Sequence, residues 1–230
     1  GSGWFTCSSV HHGTLRHVMA VQRRIVGVDV GGTKVAAAVL LSTAGDEAAR
    51  RRPPEILARC TAPTDVSSVA ACLAGIDACI DRLVNEAGPV DGIGIGIASL
   101  MDYEAGRLAH SVHLPLSDVP LRALLEQRHG VPVAVDNDAT AACLAEHAFG
   151  AGAGYRHMVM LTLGTGIGGG IICDGRPYRG AGGPAAELGH MVGEKHGGPG
   201  VAGLRAPWTG TPVECRGSLP PVLLSSGLGG

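Results

Sequence analysis

Met158–His190 reads MVMLTLGTGIGGGIICDGRPYRGAGGPAAELGH. The apolar run Met158–Leu163 predicts a strand, Gly164-Thr165-Gly166 a tight turn, Gly169–Cys173 a second strand, and Asp174-Gly175 a further turn. A strand that ends in Gly-Thr-Gly leaves backbone N–H groups uncovered by side chains, so a phosphate can approach closely. One such loop is common. Here it has a counterpart upstream: Ile25–Val39, IVGVDVGGTKVAAAV, is again strand, Gly31-Gly32-Thr33, strand. With Asp136-Asn137-Asp138 between them, the two hairpins predict two half-domains that grip the phosphate tail of a nucleotide. Gly31, Gly32, Thr33 and Lys34 serve one side. Gly164, Thr165 and Gly166, continued by Gly168–Gly170, serve the other.

The 230 residues allow one large domain or two small ones, and 45% apolar against 17% charged residues is ample for a core. Aromatics at 3% argue against base stacking, and a net charge of −2 against a nucleic-acid footprint. The seven cysteines show no Cys-x-x-Cys spacing and sit mostly in apolar surroundings, as buried free thiols do in a reducing cytoplasm. No apolar run reaches the roughly 20 residues of a membrane span. Residues 1–23 lack the layout of a signal peptide and are expected to be a disordered extension.

In chain order, Arg24–Val30 and Lys34–Leu41 predict paired strands and Leu57–Ala62 a third. Val69, Leu73, Ile76, Ile80 and Leu83 recur at helical spacing and predict an amphipathic helix within Ser67–Ala87. Gly92–Ile97 predicts a strand, Leu108–Leu114 a possible one, Pro120–His129 a helix with proline near its first turn, Val131–Val135 a buried strand, and Ala139–Phe149 a helix closed by Gly150. The same strand–glycine–strand opening restarts at His157, which reads as an internal duplication. The first lobe is placed at 24–150 and the start of a second at 151–192. The second copy is short.

Four groups carry chemistry. Asp29, just before Gly31-Gly32-Thr33-Lys34, can hold Mg²⁺ beside a phosphate tail, or belong to a turn that merely closes a hairpin. Asp138 lies where a buried strand meets a helix, the usual place for a functional group in an α/β sheet; it can take the proton of a sugar hydroxyl during attack on a γ-phosphate. Asn137 can hydrogen-bond neighbouring hydroxyls. The plain alternative for Asp136, Asn137 or Asp138 is a helix N-cap. Glu187 and His190, three apart, can share a helical face and bind two hydroxyls of a polyol, or His190 can ligate a metal.

With these residues in place the chain resembles the ROK family of sugar kinases, and within it the bacterial glucokinases. The matching pieces are DVGGTK (Asp29–Lys34), VDNDATAA (Val135–Ala142), LTLGTGIGGG (Leu161–Gly170) and ELGH (Glu187–His190), in family order and within about Arg24 to Val192. The resemblance implies an α/β, actin-like ATPase (ribonuclease H-like) fold of two lobes, the second incomplete here. It implies ATP-dependent phosphorylation of a hexose, glucose foremost, by a cytoplasmic protein, with a homodimer as the candidate assembly. Asp138 would be the catalytic base; Asn137, Glu187 and His190 the sugar ligands; the two glycine loops the ATP phosphate sites; and Asp29 the Mg²⁺ ligand.

The chain departs from the family pattern in two places. Where family members close the motif after Gly92–Gly96 with a glycine, this chain has Ser99. After ELGHM the family continues with a CxCGxxGCxE cluster that binds a structural zinc together with the histidine. Val192–Gly230 holds Cys215 alone, so His190 lacks its zinc partners and no zinc is expected. The stretch 193–230, rich in Gly, Pro and Ser, reads as an aberrant, disordered tail. A shifted reading frame would produce it: Leu204-Arg205-Ala206-Pro207-Trp208 can be encoded by CTG CGG GCG CCG TGG, which one base later gives Cys-Gly-Arg-Arg-Gly. The expected alternatives to a working kinase are an inactive fragment and a sugar-binding regulator that lacks its DNA-binding part.

Overall fold

A computed structural model describes residues 21–44, 52–111, 113–163, 167–180, 184–186, 188 and 223–226. Its largest sheet has five strands in the order β3-β2-β1-β4-β8. They are β1 (Val21–Val30), β2 (Lys34–Ala44), β3 (Glu55–Pro63), β4 (Gly92–Ile97) and β8 (Val133–Asn137). β1, β2 and β3 form an antiparallel meander, and β1, β4 and β8 run parallel. Alternation decides which face is buried. Val26, Val28 and Val30 of β1, Ile93, Ile95 and Ile97 of β4, and Val133 and Val135 of β8 are all under 7% exposed. Their removal from water is worth about 1.5–3 kcal/mol per side chain, and it fixes the register, because a slip by one residue would turn all of them to the other face.

That face packs on α1 (Val69–Ala87), whose Cys72, Ile76, Cys79, Ile80 and Leu83 form the buried stripe. Ser68 starts the helix: its side chain accepts a hydrogen bond from the Ala71 N–H at 3.1 Å. Gly88, at φ 85°, ends it. α2 (Leu121–His129) adds Leu121 and Leu125 and ends at Gly130 in the left-handed region. Between β4 and α2 lies a small three-stranded sheet: β5 (Leu100–Asp102), β6 (Arg107–His110) and β7 (Ser117–Val119). Of these three, only β6 overlaps the stretch expected as a strand, Leu108–Leu114.

α3 (Asp138–Phe149) follows β8 directly and leads to the second sheet, ordered β11-β10-β9-β12. Its strands are β9 (Met158–Leu163), β10 (Ile167–Cys173), β11 (Arg176–Pro177) and β12 (Leu223–Ser226). The order repeats that of the first sheet: an antiparallel hairpin with one strand antiparallel on its outer side and one parallel on its inner side. The duplication seen in the sequence is thus a duplication of topology. β12 lies inside the stretch expected to be a disordered tail. Asp174 (φ 51°) and Gly175 (φ 74°) make the expected two-residue turn between Cys173 and Arg176.

Gly169 and Gly170 lie in β10 as the predicted second strand has them, and Gly168, expected in the phosphate loop, lies in that strand too. They serve packing. A Cβ on Gly168 would stand 2.8 Å from the Ala139 Cβ, one on Gly169 2.5 Å from Leu188 Cδ1, and one on Gly170 2.2 Å from the Cys143 Cβ. Bare backbone at Gly168 and Gly170 lets α3 lie against β10, and at Gly169 it makes room for Leu188. Cys143, Met158, Met160 and Ile172 form a second small core there. α3 therefore joins the two sheets.

Candidate active site

The candidate site gathers at the carboxyl ends of β1, β4 and β8. Pairing registers Asp29 with Gly96 and Gly96 with Asp136, so the two acidic residues flank a glycine in one row across the sheet. The start of α3 sits over that glycine, with the Asp138 Cα 3.5 Å from where a Gly96 Cβ would stand. This brings Asp138 next to Asp29. Burial of α3 against the sheet thus fixes two carboxylates from distant parts of the chain at one strand end.

The first glycine turn is held from behind. The Gly31 N–H donates to the Lys34 carbonyl at 3.0 Å, the Thr64 N–H to the Thr33 carbonyl at 3.0 Å, and the Thr64 hydroxyl to the Gly31 carbonyl at 2.7 Å. Gly32 is bare for an internal reason as well: a Cβ there would stand 3.0 Å from the His113 Cβ. Thr33 and Lys34 are exposed, and Gly31 and Gly32 are half-buried.

Asn137 is the N-cap of α3. Its side-chain oxygen accepts from the Ala139 N–H at 3.0 Å and the Thr140 N–H at 3.1 Å, which leaves its amide NH₂ for other partners. The plain reading of this residue is therefore correct, and it does not exclude the other. Asp138 occupies the first helical position, where the helix dipole favours a negative charge, and its Oδ1 accepts from the Ala139 N–H at 2.9 Å.

Asp29 is exposed, yet the protein around it removes part of its hydration. That desolvation, and after it the Asp138 carboxylate, raises its carboxyl above the ordinary range; Lys34 offsets part of the effect. Two carboxylates that repel each other beside an exposed turn fit a divalent cation, which would relieve the repulsion. Among the described residues no three His, Cys, Asp or Glu cluster about one point. Mg²⁺ does not require such a cage, since it is commonly held by one or two carboxylates and the phosphates it accompanies.

Of the residues picked from the sequence, the structure brings together Asp29, Gly31–Lys34, Asn137 and Asp138. Gly164, Thr165, Gly166, Glu187 and His190 lie outside the described residues. Their neighbours are placed: Leu163 ends β9, Ile167 begins β10, and Leu188 packs on Gly169. The reading missed the partner of Asp136. Its carboxylate pairs with Arg179, which also lies over the Tyr103 ring at 4.7 Å from the centroid. No local pattern signals a contact between residues so far apart in sequence.

Comparison with known proteins agrees with this geometry. The chain is 37% identical over 175 residues to a glucokinase of Halalkalibacterium halodurans, covering 74% of this chain and 50% of that protein. Over 101 residues, 44% of this chain and 25% of the other, it is 41% identical to a putative xylose repressor of a Caldicellulosiruptor species. The crystal structure of a ROK family glucokinase from Streptomyces griseus, in complex with glucose and AMPPNP, superposes with a TM-score of 0.64 at 35% identity, over 76% of this chain and 52% of that one. The chain spans about half the length of such relatives. The fold is the actin-like ATPase fold. The ROK family profile matches residues 25–210, most of the chain, and the protein belongs to the ROK family.

Proposed function

We propose that this protein transfers the γ-phosphoryl group of ATP to a hexose hydroxyl, with glucose the first candidate and fructose and N-acetylmannosamine the next. The observation that carries the reading is the convergence of Asp29, the Gly31–Lys34 turn and the Asn137-Asp138 helix start at one end of the sheet. Asp138 accepts the proton of the sugar hydroxyl as its oxygen forms the bond to the γ-phosphorus and ADP leaves. The Asn137 amide, Glu187 and His190 hold neighbouring hydroxyls. Backbone N–H groups of Gly32 and Thr33, and those of Gly164–Gly166, would meet the phosphates, with Lys34 beside them. Asp29 would hold Mg²⁺, which supplies charge neutralisation on the phosphates. The reading assigns no zinc to His190 and places the protein in the cytoplasm; no described helix is long and apolar enough to cross a membrane.

The test is ADP release with Mg²⁺, ATP and each hexose in turn. Turnover with glucose that Asp138→Asn lowers by about 10²–10⁴ supports the reading. A second reading is favoured by the repressor likeness: the chain binds a sugar without transferring phosphate. Glucose-dependent thermal stabilisation with no ADP formed would select it.

A further inference from the structure

The loop of residues 111–116 joins β6 to β7 and is tied to the carboxyl end of β4. The Ser111 hydroxyl donates to the carbonyl of Ala98, one residue beyond β4, at 2.7 Å, and the Ser111 N–H donates to the Leu116 carbonyl at 3.2 Å. At the base of the loop His110 pairs with Ser117. Ser111, Leu114 and Leu116 are buried. The loop is therefore fixed at both ends, and His113, between Ser111 and Leu114, is exposed.

That anchorage carries His113 onto the first glycine turn. A Cβ on Gly32 would stand 3.0 Å from the His113 Cβ, 3.4 Å from its carbonyl oxygen and 3.8 Å from its Cγ. The turn begins directly after β1, whose Val30 pairs with Ile97 at the end of β4, and Ile97 pairs in turn with Asn137. An exposed imidazole thus stands at the strand ends that also carry Asp29 and Asp138. It lies beside the N–H groups of Gly32 and Thr33; that of Gly31 is engaged by the Lys34 carbonyl. Packing on Gly32 accounts for the His113 backbone and Cβ. It does not account for the ring, because an exposed ring buries little apolar surface and a smaller side chain would pack on the glycine as well.

We propose that His113 is a phosphate-binding residue of this site, its ring N–H donating to an oxygen of the phosphate that the Gly31–Lys34 turn receives. The inference rests on the phosphoryl-transfer reading above and adds a donor to it. An imidazole carries at least one N–H in either protonation state, and a hydrogen bond to a charged oxygen is stronger than one to a neutral group. Lys34 brings a point charge to the same turn; His113 brings a directed donor from a separate element. Ser111 is a positioning residue, which acts only through where it holds the loop.

The test is equilibrium binding of MgATP, of inorganic triphosphate with Mg²⁺, and of glucose to the whole chain. His113→Ala is expected to weaken both phosphate ligands about tenfold and to leave glucose affinity within about twofold. His113→Asn keeps an N–H donor on the side chain and is expected to recover to within about threefold of wild type, whereas a residue that only packs would gain nothing from a donor. Ser111→Ala is expected to weaken MgATP binding about threefold in the wild type and no further in His113→Ala, because the two act through one contact. Unchanged affinity for both phosphate ligands in His113→Ala overturns the assignment, as does an asparagine variant no better than the alanine one. Weaker glucose binding with MgATP unchanged places the imidazole on the sugar and overturns it too. Equal losses from Ser111→Ala in both backgrounds overturn the anchoring role. A wild-type chain that binds neither phosphate ligand overturns the phosphoryl-transfer reading itself, and this role with it.

Discussion

Asp29 and Asp138, on different elements and far apart in sequence, meet as like charges over Gly96, and Asp138 is the strongest charged influence on the Asp29 carboxyl. Desolvation acts in the same direction and is larger. Two carboxylates that repel each other are an arrangement that a divalent cation would relieve, and without one the fold bears the cost. A protein optimised for stability alone would not place them together.

Asp29→Asn therefore raises the melting temperature near neutral pH. The sign follows from linkage. A carboxyl whose folded-state pKa is raised contributes stability below its unfolded pKa and loses it as pH rises through the folded value. The advantage of the variant is expected to be largest near pH 7, to shrink as pH falls through the carboxylate range, and to narrow when Mg²⁺ is added. Melting curves across pH check it; a variant less stable than wild type at pH 7 refutes it.

Asn137 separates its two roles by substitution. Asn137→Asp keeps an oxygen for the Ala139 and Thr140 N–H groups and loses the amide donor, so stability is retained and hexose affinity falls. Asn137→Ala loses both, and the lost cap is worth about 1 kcal/mol, or about 2–4 °C in a chain of this size. Equal melting losses in the two variants would show that the cap is not what holds the helix start.

Gly170 tests the seam between α3 and β10. An alanine Cβ would meet the Cys143 Cβ at 2.2 Å, two atoms each fixed to a backbone, so α3 must shift. Gly170→Ala is expected to cost about 1–3 kcal/mol. Gly94→Ala, with nothing within 4 Å of the added carbon, is the control and is expected to change stability by less than about 0.5 kcal/mol. Denaturant melts distinguish them.

Among the described residues the thiols sort by burial. Cys60, Cys72, Cys79 and Cys143 are buried and Cys173 is exposed. Desolvation pushes Cys143 to about 11, and desolvation with the neighbouring Cys60 thiol, whose S–H donates to Cys79 Sγ at 3.2 Å, pushes Cys79 to about 11. Thiolate is the reactive form. At pH 8 Cys173 is expected to react with an aromatic disulfide reagent before the four buried thiols, which react only after denaturant is added. Modification mapped by mass spectrometry checks this; rapid labelling of Cys79 in the native protein contradicts it.

The strands that carry the site were legible because their residues alternate or run apolar over five or more positions, as in Gly92–Ile97 and Met158–Leu163. β5 and β7 were not, since three residues cannot display a period. β8 was expected over Val131–Val135 and runs Val133–Asn137, because pairing of Asp136 and Asn137 with Gly96 and Ile97 keeps two polar residues extended. Gly168 looks like a loop residue and is a strand residue, because its need for bare backbone arises from a helix that the local sequence does not announce. The site residues Asp29, Asn137 and Asp138 could be picked out by type and position in the chain. The link between Arg179 and Asp136 could not.

The central claim is that Asp138 is the base for phosphoryl transfer to a hexose. The most direct measurement is the rate of ADP release with glucose, ATP and Mg²⁺ for wild type and Asp138→Asn, with glucose binding followed in parallel. The account predicts turnover in wild type, a loss of about 10²–10⁴ in the variant, and glucose affinity largely kept. A variant that keeps its rate within about threefold, or a wild-type chain with no turnover at all, contradicts it.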